Sequence, residues 1–148
     1  MVGYTAQTDP DTTSRAIGKE IPISPKHSRE ICRMIRGMPV SRAREVLEEV
    51  MKMRRAVPMR RFKKRVSHKK GVGPGRYPRK AAEAILKVID SAAHNAEYKG
   101  LDADNMRIKV AAAHLGRTVE GYMPRAHGRA TPWNQQTTNI EVILEEMD

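Results

Sequence analysis

The sequence predicts an α+β fold: three helices packed on a small antiparallel sheet, from which a long C-terminal β-hairpin protrudes. Apolar residues recur at helical spacing in three segments ahead of Gly100. The period then switches to two. Met106, Ile108, Val110 and Ala112 alternate with Arg107, Lys109 and Ala111, and Thr138, Ile140, Val142 and Leu144 alternate with Asn139 and Glu141. Between these two half-buried strands lie Gly116, Gly121, Pro124, Gly128 and Pro132, so the simplest connection is one hairpin folding back near Arg125.

At 148 residues the chain has the size of one domain. Residues 1–14 read as an N-terminal tail and 15–148 as a single domain, within which 54–77 form a basic extended loop and 106–146 the long hairpin. Arg15 to Ile23 carries Ile17, Ile21 and Ile23 around Gly18, the pattern of an edge strand closed by Pro22. Ser24-Pro25 is an N-cap followed by first-turn proline, and Ile31, Met34, Ile35 and Met38 follow at helical spacing until Gly37 and Pro39 end the helix. Ser41 suits the cap of a second helix, whose apolar face is Ala43, Val46, Leu47, Val50 and Met51. A third opens near Pro78 and runs to about Lys99, with Ala81, Ala82, Ile85, Val88, Ile89, Ala92 and Ala96 inward and Gly100 as its stop.

Between the second and third helices, from Val50 to Ala82, stand 13 Lys and Arg and no Asp or Glu. Such a stretch cannot bury a core, so an extended loop is expected, disordered in isolation. Its cations Arg54, Arg55, Arg60, Arg61, Lys63, Lys64, Arg65, Lys69, Lys70 and Arg76, with Arg79 and Lys80 opening the third helix, are candidate phosphate contacts. The whole chain leans the same way: 28 Lys plus Arg against 17 Asp plus Glu leave a net charge of +11, which points to a polyanionic partner.

The hairpin points there independently. From Arg107 to Val119 the ascending arm extends roughly 40 Å at the usual rise per strand residue, whereas a small domain is only about 30 Å across. Its distal half offers no apolar alternation to a core, and an isolated two-stranded ribbon is marginal in water. Its side chains suit RNA: Arg117, Arg125, His127 and Arg129 for phosphates, Asn134, Gln135 and Gln136 for bases or sugars, Tyr122 and Trp133 for stacking. A plain surface loop would mix charge signs, yet no acidic residue lies between Gly121 and Thr138, and a dimerisation arm would expose apolar residues.

Gly121-Tyr-Met-Pro-Arg-Ala-His-Gly-Arg-Ala-Thr-Pro-Trp133, with its flanking strands, closely resembles the universal large-subunit ribosomal protein family numbered twenty-two in bacteria and seventeen in eukaryotes. The specific core is Pro124-Arg-Ala-x-Gly-Arg-Ala130, and with Ser41-Arg-Ala-Arg44 and the Lys80–Asn95 helix the resemblance covers roughly residues 15 to 146. It implies a structural constituent of the cytoplasmic large subunit that binds ribosomal RNA and supports assembly. Its body would sit near the mouth of the peptide exit tunnel, and its hairpin tip (Met123, Pro124, Arg125, Ala126, His127, Gly128, Arg129, Ala130) in the tunnel wall. The partners so implied are large-subunit ribosomal RNA, neighbouring ribosomal proteins near the tunnel exit and, transiently, the nascent polypeptide. Neither a membrane nor a second copy of the chain is expected. The long basic stretch and the end at Asp148 without a basic tail resemble archaeal members, while Gly121-Tyr-Met123 departs from the bulky basic run of many bacterial ones.

Enzymatic and cofactor chemistry find little support. Gly71-Val-Gly-Pro-Gly75 lacks the preceding apolar strand and following Gly-Lys-Ser/Thr of a phosphate loop. The five histidines, 27, 68, 94, 114 and 127, lack metal-ligand spacing, and Cys32 stands alone, which fits a reducing compartment. Asp102 and Asp104 suit a turn. No cofactor or metal is expected. Met1 to Thr13 lacks a signal-peptide apolar run, and nothing approaches a membrane span, so a soluble cytoplasmic protein is expected. The rival classes are an RNA-binding factor outside the ribosome and a basic nuclease, which would need a catalytic histidine.

Overall fold

The computed structural model describes residues 3–147. Its main sheet has β8 (Gln135–Glu146) at the centre, antiparallel to β1 (Thr13–Ile21) on one side and β5 (Met106–Val119) on the other. Helices α1 (Pro25–Ile35), α2 (Val40–Met51) and α3 (Arg79–Tyr98) pack on one face. There Ile31, Ile35, Leu47, Ile85 and Ile89 meet Met106, Ile108, Ile140, Val142 and Leu144 in one solvent-free core. The architecture is the predicted α+β fold with its long C-terminal hairpin.

Local chemistry shifts some boundaries. β1 begins at Thr13, inside the segment assigned to the tail. Ser24 precedes α1 but makes no capping side-chain bond, while Ser28 Oγ donates to its carbonyl at 2.9 Å. The second helix starts one residue before the expected cap Ser41, because Ala43 N donates to Pro39 O at 3.0 Å and closes the first turn there. The turn between α1 and α2 seals part of the β5 edge: Gly37 N donates to Ile108 O at 2.8 Å and Ile108 N to Met38 O at 2.9 Å.

Two bulges in β5 decide which side chains face where. Ile108 pairs with Leu144 but Val110 with Ile143, leaving Lys109 as an extra residue. A one-residue slip exchanges the two faces. Ala111 is therefore buried, whereas Val110 and Ala112, expected inward, are only partly covered. Lys109 turns to Glu145, which also receives Arg107 Nη2 at 3.0 Å; these two donors, Lys109 first, hold the Glu145 carboxyl below the usual range. The second bulge separates the Leu115–Thr138 and Thr118–Gln136 pairs. Gly116 sits in it, where a Cβ would press on the Thr137 hydroxyl and stand 3.2 Å from its backbone, so only glycine lets the strands approach this closely.

β8 is buried on both faces from Thr137 to Leu144, where a half-buried strand is expected from its pattern. The N-terminal segment contributes to the second face. Thr5 donates its N–H (2.9 Å) and Oγ1 (2.8 Å) to the two carboxylate oxygens of Glu141, and His114 Nε2 lies 3.2 Å from Oε2. Glu141, at an outward position of the strand pattern, is only 1% exposed. Arg15 stacks its guanidinium 5.6 Å from the Tyr4 ring centroid on the same segment. Cys32 is enclosed between the helices, and burial pushes its thiol up to about 12, so it stays protonated at neutral pH.

Candidate nucleic-acid interface

The basic segment is a folded lobe rather than a structureless loop. Its strands β2 (Val57–Pro58), β3 (His68–Lys69) and β4 (Gly73–Arg76) form a small sheet in the order β2-β4-β3. The charged sequence hides its anchors: Val57 is solvent-free and Met59 3% exposed, both in the main core, and Met59 N donates to Pro74 O at 2.8 Å. Gly71 and Gly73, at φ 75° and 81°, make the reversal between β3 and β4. Glu30 of α1, itself 3% exposed, accepts the Arg61 N–H at 2.8 Å and ties the lobe to the helix.

This scaffold turns cations outward. Arg54, Arg60, Arg61, Lys63, Lys64, Arg65, Lys70, Arg76, Arg79 and Lys80 are exposed, and none forms an ion pair among the described residues. Two of the predicted cations are partly committed elsewhere. Arg55 Nη1 contacts Glu49 at 3.1 Å, and Lys69 Nζ lies 5.5 Å from the Tyr77 ring centroid. Arg61, Lys64 and Arg76 come together with Lys26, His27 and Phe62 around one cavity. Lys26 and Phe62 are not among the residues the sequence singles out, and His27 figures there only among the five histidines. The available signal was the single Phe of the chain lying inside the run Arg60 to Arg65.

The ribbon carries the other predicted residues. Beyond β5 it continues through β6 (Tyr122–Pro124) and β7 (Ala130–Pro132), paired Tyr122 to Pro132, Met123 to Thr131 and Pro124 to Ala130. The reversal runs through Ala126–Gly128 with His127 at φ 59° and Gly128 at φ 66°, closed by Arg125 N donating to Arg129 O at 2.7 Å. It thus centres two residues beyond the expected Arg125. From Arg117 to Gln136 every residue is exposed apart from the partly covered Gly121 and Met123. Trp133 is 53% and Tyr122 73% exposed, leaving ring surface open for stacking. Asn134 is partly used internally, its Oδ1 accepting from Gly121 N at 3.4 Å, and Arg125 Nε contacts Thr131 Oγ1 at 3.3 Å. Arg117, His127 and Arg129 form no ion pair among the described residues, and Glu120 is the one acidic residue between Arg117 and Gln136.

The family model described as ribosomal protein L22p/L17e matches residues 16–145, spanning the core, the lobe and the hairpin. The chain belongs to the ribosomal protein L22p/L17e family. It is 54% identical to the large ribosomal subunit protein uL22 of Methanopyrus kandleri over 95% of this chain and 91% of that one. Against the proteins of the same name from Methanocaldococcus jannaschii and Archaeoglobus fulgidus identity is 53% and 49%, each covering 97% of this chain and 94% and 96% of theirs. These relatives are archaeal, in keeping with the archaeal-type features of the basic stretch. Membership of the L22p/L17e family makes the chain a ribosomal structural protein, and the lobe and the ribbon are the two parts of its surface that chemistry marks for a polyanion.

Proposed function

We propose that this protein binds ribosomal RNA as a structural constituent of the cytoplasmic large subunit, supports subunit assembly, and places its hairpin tip in the wall of the peptide exit tunnel. The observation that carries this is the ribbon from Arg117 to Gln136, exposed almost throughout, cationic and without a core to hold it. A segment of that kind is stable in one place only when a partner surrounds it. RNA supplies phosphates for Arg117, Arg125 and Arg129 and bases for Trp133 and Tyr122.

The lobe complements the ribbon. Its cations and the first turn of α3, Arg79 and Lys80, release counterions from phosphates and supply affinity, while the ribbon fixes register by threading between RNA segments. Within the tip, Ala126, Gly128 and Ala130 are small and Arg125, His127 and Arg129 basic, which suits the wall of a passage for a nascent chain. Neighbouring ribosomal proteins near the tunnel exit complete the surroundings.

Recovery from ribosomes tests the reading against its rival, an RNA-binding factor outside the particle. One copy per large subunit after a salt wash, by quantitative mass spectrometry, is the expected result. Substoichiometric recovery, with the protein in a non-ribosomal fraction, would assign it to the rival class.

A further inference from the structure

Between the first turn of α1 and the lobe lies a cavity of about 530 Å³ whose walls carry Lys26, His27, Arg61, Lys64 and Arg76. Apart from Ser24, its remaining lining is apolar: Met59, nearly solvent-free, with half-covered Phe62 and Val66. No carboxylate lines it. We infer that this cavity receives one unstacked nucleotide of RNA, its base against Phe62 and its phosphate among the surrounding cations. The inference rests on the RNA-binding reading above and assigns that reading a specific pocket.

Size and lining both favour a nucleotide over a bare phosphate. The volume falls in the range of small-molecule pockets, and such pockets pair an apolar, aromatic lining with a few placed polar groups. A phosphate alone would need the cations but not Phe62 and Met59. Lys26 Nζ stands 5.4 Å and the Arg61 guanidinium 5.7 Å from the Phe62 ring centroid, so both cations are within reach of the phosphate of a nucleotide whose base packs on that ring. His27 is held below its ordinary pKa by burial and then by Arg76, which leaves a neutral imidazole at pH 7 with one donor and one acceptor nitrogen for a base edge. The walls are preorganised: Glu30 holds the Arg61 backbone from behind, and Ser24 provides no side-chain cap to the α1 N–H groups beside the cavity.

The test uses the full-length protein, a labelled single-stranded RNA oligonucleotide, and the same ribose-phosphate backbone with abasic residues. Phe62→Leu keeps the charge and most of the apolar volume. It is expected to weaken binding of the intact RNA by about five- to 150-fold, the value of one lost stacking contact, and to leave abasic binding and the salt dependence unchanged. Photocrosslinking of the wild-type protein to 4-thiouridine RNA is expected to map to the peptide containing Phe62 or His27, a readout independent of how the variant folds. Equal RNA affinity of Phe62→Leu and wild type, an equal loss on both backbones, or crosslinks confined to other segments would overturn the pocket. If wild type shows steep salt dependence without sensitivity at Phe62, only the pocket fails; if wild type binds neither backbone, the RNA-binding reading fails with it.

Discussion

Raising monovalent salt from 50 to 200 mM is expected to weaken binding of the free protein to large-subunit ribosomal RNA by about a thousandfold to a hundred-thousandfold, as for a contact neutralising about 6 to 10 phosphates. The source is the lobe. Its exposed cations lack carboxylate partners among the described residues, so little of their charge is spent within the protein. By contrast, cations on and just after α2 and at the hairpin base are paired: Arg42 with Glu45, Lys52 with Glu48, and Arg107 and Lys109 with Glu145. The charge is thus sorted by location, and counterion release is concentrated where the lobe meets its partner. A filter-binding or fluorescence titration at several salt concentrations measures it, and a flat response would remove electrostatic anchoring from the account.

Replacing residues 117–136 by an Asn-Gly turn is expected to separate stability from RNA binding. The excised ribbon contributes nothing to the core, which ends on this strand pair at Ala113 and Ile140. The melting temperature should therefore move by no more than about 2 °C, the effect of a surface change in a domain of this size. Three arginines leave with the ribbon, Arg117, Arg125 and Arg129, so the slope of log affinity against log salt should fall by about 2 to 3. A large drop in melting temperature would mean that the ribbon props up the body. An unchanged salt slope would mean that its arginines do not reach phosphate.

The sequence makes periodic features visible and leaves conditional ones hidden. All three helices are legible because Ile31 and Ile35, Ala43 and Leu47, and Ile85 and Ile89 repeat at helical spacing and all become core. The bulge at Lys109 is not, since Met106 to Ala112 reads as unbroken alternation until the pairing of Val110 with Ile143 is known. Glu141 stands at an outward position of the β8 alternation, the side a half-buried strand gives to solvent. Its partners are set by the fold: His114 lies across the sheet, and Thr5 is at the other end of the chain. The lobe's charge density conceals its few anchors: Val57, Met59 and the Glu30–Arg61 bond suffice to seat it. At the candidate interface, the exposed cations and the ribbon tip could be named in advance. The cavity could not, because it needs α1 and the lobe brought side by side.

Placement of the tip is the centre of the account, and a photocrosslinking residue substituted for His127 in assembled large subunits carrying a nascent chain tests it most directly. His127 stands at the apex of the reversal and is exposed. The predicted result is a pair of adducts, one to large-subunit ribosomal RNA and one to a nascent chain long enough to fill the tunnel. Adducts only to proteins on the outer face of the subunit, with neither RNA nor nascent chain labelled, would contradict it.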